Sequence, residues 1–257
     1  MKNRIHKLFQ EKNKKIISVY FTAGFPEIDS TRTILKHLEQ AGADMVEIGI
    51  PFSDPLADGP TIQGSSEIAL KNGMTLKLLF EQLEGIRKQT SIPILLMGYL
   101  NPILQFGEKR FIEKCAEVGI DGIIVPDMPL NYYEDKFEKI CLKNNISNIL
   151  LITPETTPQR IKLIDKKSNG FIYMVSSNSI TGNSNKLKNE KEYFERISKM
   201  SLHNPVITGF GINNKDKFDF ACKYSNGCIV GSAFINHLSQ TKISEASINQ
   251  FLKSFKS

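Results

Sequence analysis

The 257-residue sequence predicts an α/β fold, a (β/α)8 barrel with eight parallel strands inside a ring of helices. Three observations carry this expectation. Short runs of Ile, Val and Leu recur along the chain, apolar at nearly every position, as strands buried on both faces must be. Longer segments between them place apolar residues at three- and four-residue spacing, which gives a helix one buried face. Several of these segments end in Gly just before the next strand. Ala41-Gly42-Ala43-Asp44 and Val118-Gly119-Ile120-Asp121 are near copies, with Gly suited to the turn after a helix and the acid starting the return.

Strands are expected at 16–22, 45–50, 93–99, 122–125, 148–152, 171–175, 205–209 and 227–230. Helices are expected at 30–40, 76–88, 108–118, 132–143 and 158–167. In the second of these, Leu76, Leu79, Phe80, Leu83 and Ile86 share one face. The interval 51–92 is the longest, with room for an acidic loop and an extra helix near 62–71 after the second strand. No low-complexity linker divides the chain, so 1–257 reads as one domain. An open doubly wound sheet is the alternative, but it usually carries a GxGxxG turn after its first strand. Here that strand runs into Thr22-Ala23-Gly24-Phe25-Pro26, and no GxxxxGK[ST] motif occurs.

A hydrophobic share of 40% supports a sizeable core, and the charged share of 23% is ordinary for a globular protein. No apolar run approaches the ~18 residues of a membrane span. No apolar segment of the signal-peptide type follows the basic residues 1–15, so the expected location is the cytoplasm. Cys115, Cys141, Cys222 and Cys228 form no CxxC pair and read as buried thiols in a reducing compartment. His6, His37, His203 and His237 lack metal-ligand spacing, so no metal site is expected and no histidine receives a catalytic role. The net charge of +6 is spread over lysine-bearing helical faces such as 186–195. No basic stripe is interleaved with aromatics, which argues against a nucleic-acid partner. The charge favours an anionic substrate.

Glu47 lies in the middle of the apolar run 45–50, where an unpaired acid is costly unless it is used. In a barrel the loops after the strands form the active face, and strand alternation points Glu47 into the mouth. The next loop is dense in Pro, Gly and Asp and brings Asp54 and Asp58, the composition of an active-site lid. A structural ion pair for Glu47 and an Asp-Gly turn for Asp58 are the competing readings. Asp54, before Pro55, suits a turn or a partner contact as well as catalysis. Asp127 either lines the pocket or caps the next turn. Glycines mark three later strand ends, in Ile180-Thr181-Gly182, Thr208-Gly209-Phe210-Gly211-Ile212 and Val230-Gly231-Ser232-Ala233. Glycine lets backbone approach an anion, a helix N-terminus attracts one, and barrels often hold phosphate between their last loops. A phosphate-bearing substrate is therefore expected.

The segment Glu47-Ile48-Gly49-Ile50-Pro51-Phe52-Ser53-Asp54-Pro55-Leu56-Ala57-Asp58-Gly59-Pro60-Thr61-Ile62-Gln63 closely resembles the signature of the tryptophan synthase α-subunit family. The likeness spans nearly the whole chain, through Met97-Gly98-Tyr99-Leu100-Asn101-Pro102, Pro126-Asp127 and Thr153-Pro154 as well as the glycine-marked loops. It implies a cofactor-independent retro-aldol lyase that splits indole-3-glycerol phosphate into indole and glyceraldehyde 3-phosphate. By this resemblance Glu47 is the general acid/base and Asp58 stabilises charge on the indole nitrogen. Tyr173 matches a tyrosine beside the glutamate, and Thr181 a lid threonine that bonds Asp58. Gly182, Gly211, Gly231 and Ser232 match the phosphate-binding backbone, with Phe210 beside them. Tyr20, Leu96 and Tyr99 are expected to line the indole pocket. The resemblance also implies a β-subunit partner in an α2β2 tetramer, with pyridoxal phosphate only in that partner and indole passing to it. Pro51, Asp54, Asn101 and Pro129 match interface positions. Two positions depart from the commoner family pattern: Tyr20 stands where many members have Phe, and Ser179 where Gly usually precedes the aliphatic-Thr-Gly triplet. A solitary lyase, a non-catalytic activating subunit and another phosphosugar barrel enzyme are the rival readings.

Overall fold

A computed structural model describes residues 3–176, 184–209 and 211–256, with side chains left aside at 184–189. The chain runs α1 (Arg4–Glu11), β1 (Ile16–Thr22), α2 (Ser30–Gln40), β2 (Met45–Gly49), α3 (Pro60–Lys71), α4 (Leu76–Leu83) and β3 (Ile94–Met97). It continues through α5 (Leu100–Phe106), α6 (Glu108–Val118), β4 (Gly122–Ile124), α7 (Leu130–Tyr132), a π-helical turn (Tyr133–Phe137), α8 (Glu138–Lys143) and β5 (Ser147–Ile152). Then follow α9 (Pro158–Lys167), β6 (Ile172–Val175), α10 (Ser184–Ser198), β7 (Val206–Gly209), α11 (Lys215–Ala221), β8 (Gly227–Val230), α12 (Ser232–Gln240) and α13 (Glu245–Lys256). The eight strands close in sequence order into one parallel barrel. The expected fold class is the observed one.

Pairing register and strand alternation divide the barrel into two faces. Tyr20 pairs with Glu47, Glu47 with Leu95, and Leu95 with Gly122. Paired residues of parallel strands face the same side, and neighbours along a strand face opposite sides. Ser18, Tyr20, Glu47, Gly49, Leu95, Met97, Tyr173, Gly209 and Ile229 therefore share the interior. Val19, Val46, Ile48 and Leu96 face the helices, where apolar side chains from α2, α4 and α6 cover them.

Several elements differ from the expected bounds for local reasons. The helix expected at 76–88 stops at Leu83, because Gly85 turns left-handed at φ +68 before a short 3-10 turn. The strand expected at 93–99 stops at Met97, because Tyr99 already caps α5. The extra helix expected near 62–71 is α3; it begins at Pro60, whose missing N–H suits the first helical position.

Helix α1, which the sequence left unassigned, seals the N-terminal end of the barrel. Ile5 is fully buried there, and Asn3 Nδ2 donates to the Asp121 carbonyl at 2.7 Å and to Ser147 Oγ at 2.9 Å. Asp121, 1% exposed, binds Arg4 at 3.0 Å and Arg87 at 2.5 Å and accepts the Ile94 amide at 3.0 Å. No helix among the described residues is long and apolar enough to cross a membrane. All four cysteines are free thiols and buried. Asp121→Ala would strand the largely buried Arg87 guanidinium, and breaking such a pair costs about 3–5 kcal/mol. Urea unfolding is expected to show a loss of that order, with the Arg4→Ala loss much smaller because Arg4 is half-exposed.

Candidate active site

Glu47 sits on β2 with its side chain wholly inside the barrel, 0% exposed. Its Oε1 accepts a hydrogen bond from Ser18 Oγ at 2.9 Å, and its Oε2 has no partner among the described residues. Burial pushes its pKa up to about 8, against a smaller lowering by the Ser18 hydrogen bond. No cation among the described residues offsets the burial, so the ion-pair reading of Glu47 fails.

Asp58 ends the loop between β2 and α3. Burial raises its pKa to about 6, opposed by a hydrogen bond with Tyr99. Tyr99 also accepts the Ala57 amide on its hydroxyl at 3.0 Å, and its ring packs on Phe52 with centroids 5.3 Å apart. Gln63 Nε2 holds the Asp58 carbonyl at 2.8 Å. The loop is thus tied at both sides of the acid, so Asp58 is more than a turn former. At neutral pH the two carboxyls are in opposite states, Glu47 holding its proton and Asp58 mostly ionised.

A cavity of about 360 Å³ opens at the C-terminal end of the barrel. Tyr20, Asp58, Met97, Tyr173 and Ile229 form its inner wall, with Gly211, Ile212, Asn213, Gly231, Ser232 and Ala233 around its rim. The tyrosines reach across the barrel because their neighbours lack side chains. A β-carbon on Gly49 would collide with the Tyr20 hydroxyl, and one on Gly209 with that of Tyr173. Burial raises the pKa of both phenols, and nearby Glu47 and Asp58 raise them further, so both stay protonated. Glu47 is not itself in the cavity wall; it lies against the tyrosines that are.

The rim suits an anion. Helix α12 starts immediately after β8, and its first residues face the cavity. The first-turn amides have no carbonyl to bind within the helix, and the dipole favours negative charge there. Gly211 turns left-handed at φ +70, and a β-carbon on Gly231 would project between Tyr20 and Ile62 at 3.6 and 3.7 Å. Gly211, Gly231 and Ser232 lie together on this rim. Thr181, Gly182, Phe210 and Ser179 lie outside the described residues.

Three expectations need correction. Leu96 does not line the cavity: its register partner is Ile48, so it faces the helices, and Met97 one residue on takes the interior place. Tyr99 does not line the cavity either; it braces the loop that carries Asp58. Pro51 is buried, so of the four expected interface positions only Asp54, Asn101 and Pro129 present surface. Asp127 caps α5 through the Leu100 amide at 2.9 Å. Sequence reasoning missed Met97, Ile212, Asn213 and Ser18. Met97 takes its place only through the register that pairs β3 with Glu47 and Gly49.

Comparison with known proteins agrees with this geometry. A family model for the tryptophan synthase alpha chain matches residues 6–256. The chain belongs to the tryptophan synthase alpha chain family. It is 55% identical to the alpha chain of Flavobacterium johnsoniae over 240 residues, covering 93% of this chain and 94% of that one. Identity to the Flavobacterium psychrophilum alpha chain is 54% over 251 residues, covering 97% and 98%. The solved structure of tryptophan synthase subunit alpha from Legionella pneumophila superposes with a TM-score of 0.86 at 32% identity, covering 100% of this chain and 98% of that one. This family member is a lyase of tryptophan biosynthesis that cleaves indole-3-glycerol phosphate to indole.

The raised pKa of Glu47 ties stability to pH. Unfolding restores an ordinary carboxyl, so between 4.5 and about 8 the native state holds a proton that the unfolded state has released. Native stability therefore falls across this window and levels off above it. Glu47→Gln removes this dependence. Denaturation at pH 5, 7 and 9 should show the variant gaining on the parent as pH rises, by about 1.4 kcal/mol for each pH unit crossed inside the window.

Proposed function

We propose that Glu47 and Asp58 divide the retro-aldol chemistry between them. Breaking the carbon–carbon bond requires the indole ring to accept the bonding electrons. Glu47 gives its proton to the ring carbon that bears the glycerol chain, which makes the ring an electron sink. Asp58 stays ionised beside the ring N–H and stabilises the charge that develops there. The hydroxyl next to the breaking bond then loses its proton to the Glu47 carboxylate, the bond breaks, and its electron pair returns to the ring. Indole and glyceraldehyde 3-phosphate leave, and Glu47 has regained its proton. No cofactor enters this scheme. The observation that supports it best is the pair of carboxyls held in opposite states beside one cavity.

The same reading gives the phosphate to Gly211, Gly231 and Ser232, with Thr181, Gly182 and Phe210 completing that side. Tyr20, Met97 and Tyr173 hold the indole. Residues 1–257 act as one domain in the cytoplasm, with a β subunit that carries pyridoxal phosphate in an α2β2 tetramer. Asp54, Asn101 and Pro129 lie in segments after β2, β3 and β4, on one flank of the active end. Leu56, 84% exposed, and Leu104, 41% exposed, lie in the first two of these segments and supply the apolar surface a partner would cover.

Glu47→Gln is expected to abolish indole release, and Asp58→Asn to reduce it at least a hundredfold, while both still bind glycerol phosphate. Indole production by Glu47→Gln at the parent rate would overturn the assignment. In the parent, kcat/KM should follow a bell, rising near 6 as Asp58 ionises and falling near 8 as Glu47 loses its proton. Leu56→Lys should leave the isolated chain's indole release unchanged but weaken the rate increase on titration with β subunit at least tenfold in apparent affinity.

A further inference from the structure

The hydrogen bond from Ser18 is the one polar contact that the barrel offers the Glu47 carboxyl among the described residues. Both residues are fully buried. Ser18 pairs with Met45, two residues before Glu47, so its hydroxyl lies toward the closed end of the barrel. The cavity opens at the other end, where Tyr20 pairs with Glu47. We propose that Ser18 is a positioning residue for the cleavage reaction: its hydroxyl anchors Oε1 on the far side of the carboxyl and leaves Oε2 to carry and transfer the proton. This deepens the role given to Glu47 above and rests on it.

The chemistry of the two oxygens supports the division. Ser18 donates to Oε1, and the C=O oxygen of a carboxyl accepts better than its O–H oxygen, so this bond favours Oε1 as the C=O oxygen. The proton therefore sits on Oε2. When Glu47 gives it up, the negative charge spreads to Oε1, and the Ser18 bond becomes a charge-assisted one. The serine thus eases a proton transfer that burial alone would oppose. The other groups facing the carboxyl do not duplicate this. Tyr20 from β1 and Tyr173 from β6 stay protonated beside it and, among the described residues, neither bonds it, while β3 turns Leu95 and Met97 to this side. Without Ser18 the carboxyl would lose its anchor and become a weaker acid.

The test compares Ser18→Ala and Ser18→Thr with the parent, using indole release and a carbon-13 NMR titration of the Glu47 carboxyl without substrate. In Ser18→Ala the titration midpoint and the basic limb of the pH profile should both move up, by about half a pH unit or more. The kcat is expected to fall about tenfold, with KM within about twofold. Ser18→Thr keeps a hydroxyl and should restore the midpoint and most of the rate. A midpoint and pH profile in Ser18→Ala that superpose on the parent's would overturn the proposal, whatever the thermal stability of the variant. A parent that titrates as described but releases no indole would instead overturn the reaction assigned to Glu47.

Discussion

The structure depends on one constraint: an acid placed inside a closed barrel where water does not reach. Closure pairs every strand on both edges, which leaves no route by which the backbone can solvate Glu47. A single serine is all the barrel offers among the described residues, and the outcome is a carboxyl that keeps its proton near neutral pH. The same closure dictates the glycines. Gly49 and Gly209 leave room for Tyr20 and Tyr173 to lie across the interior beside the acid, where the cavity begins. Proton retention, the tyrosine layer and the glycine positions are one arrangement seen from three sides.

Asp58 sits in a different environment because a loop carries it. That loop spans nine residues between Gly49 and Gly59, and side chains from elsewhere hold it rather than strand pairing. Partial exposure and the Tyr99 hydrogen bond keep its pKa well below that of Glu47 despite its own burial. One carboxyl sits on a strand with its pKa raised to about 8, the other on a loop with its pKa raised only to about 6. A loop braced by Tyr99 and Gln63, yet exposing Leu56 at its tip, offers a mechanical link between a covering partner and the position of Asp58.

The strands were legible because burial on both faces forces an apolar run that no loop imitates. Glu47 was legible for the same reason in reverse, as the one charge inside such a run. Phase was harder. In Ile94-Leu95-Leu96-Met97 every side chain is apolar, so nothing local distinguishes interior from helix-facing positions, and the expectation fell on Leu96 instead of Met97. Only pairing with Glu47 fixes the phase. Helix α1 was hidden because its apolar residues Ile5, Leu8 and Phe9 sit among lysines; its Asn3 cap is local, but the bonds that dock it reach partners more than a hundred residues away. Ser18 carried no mark at all, since a serine in a strand is ordinary until an acid is found beside it.

The two ends of the barrel treat buried charge in opposite ways, and this separates stability from reactivity. At the closed end Asp121 has two guanidinium partners and a backbone amide, so its charge is fully compensated and its place is structural. At the open end Glu47 has one neutral partner and one oxygen without a partner among the described residues, and Asp58 has one phenol. A fully paired acid cannot exchange a proton without breaking its network, whereas an under-paired one is poised to do so. The closed end is held by α1 and Asp121 through the starts of β3 and β5, away from β1 and β2, which carry Ser18 and Glu47. The compensated acid and the under-paired acid thus sit on different strands at opposite ends of one barrel, so the network that closes the floor leaves the Glu47 carboxyl free of cationic partners among the described residues.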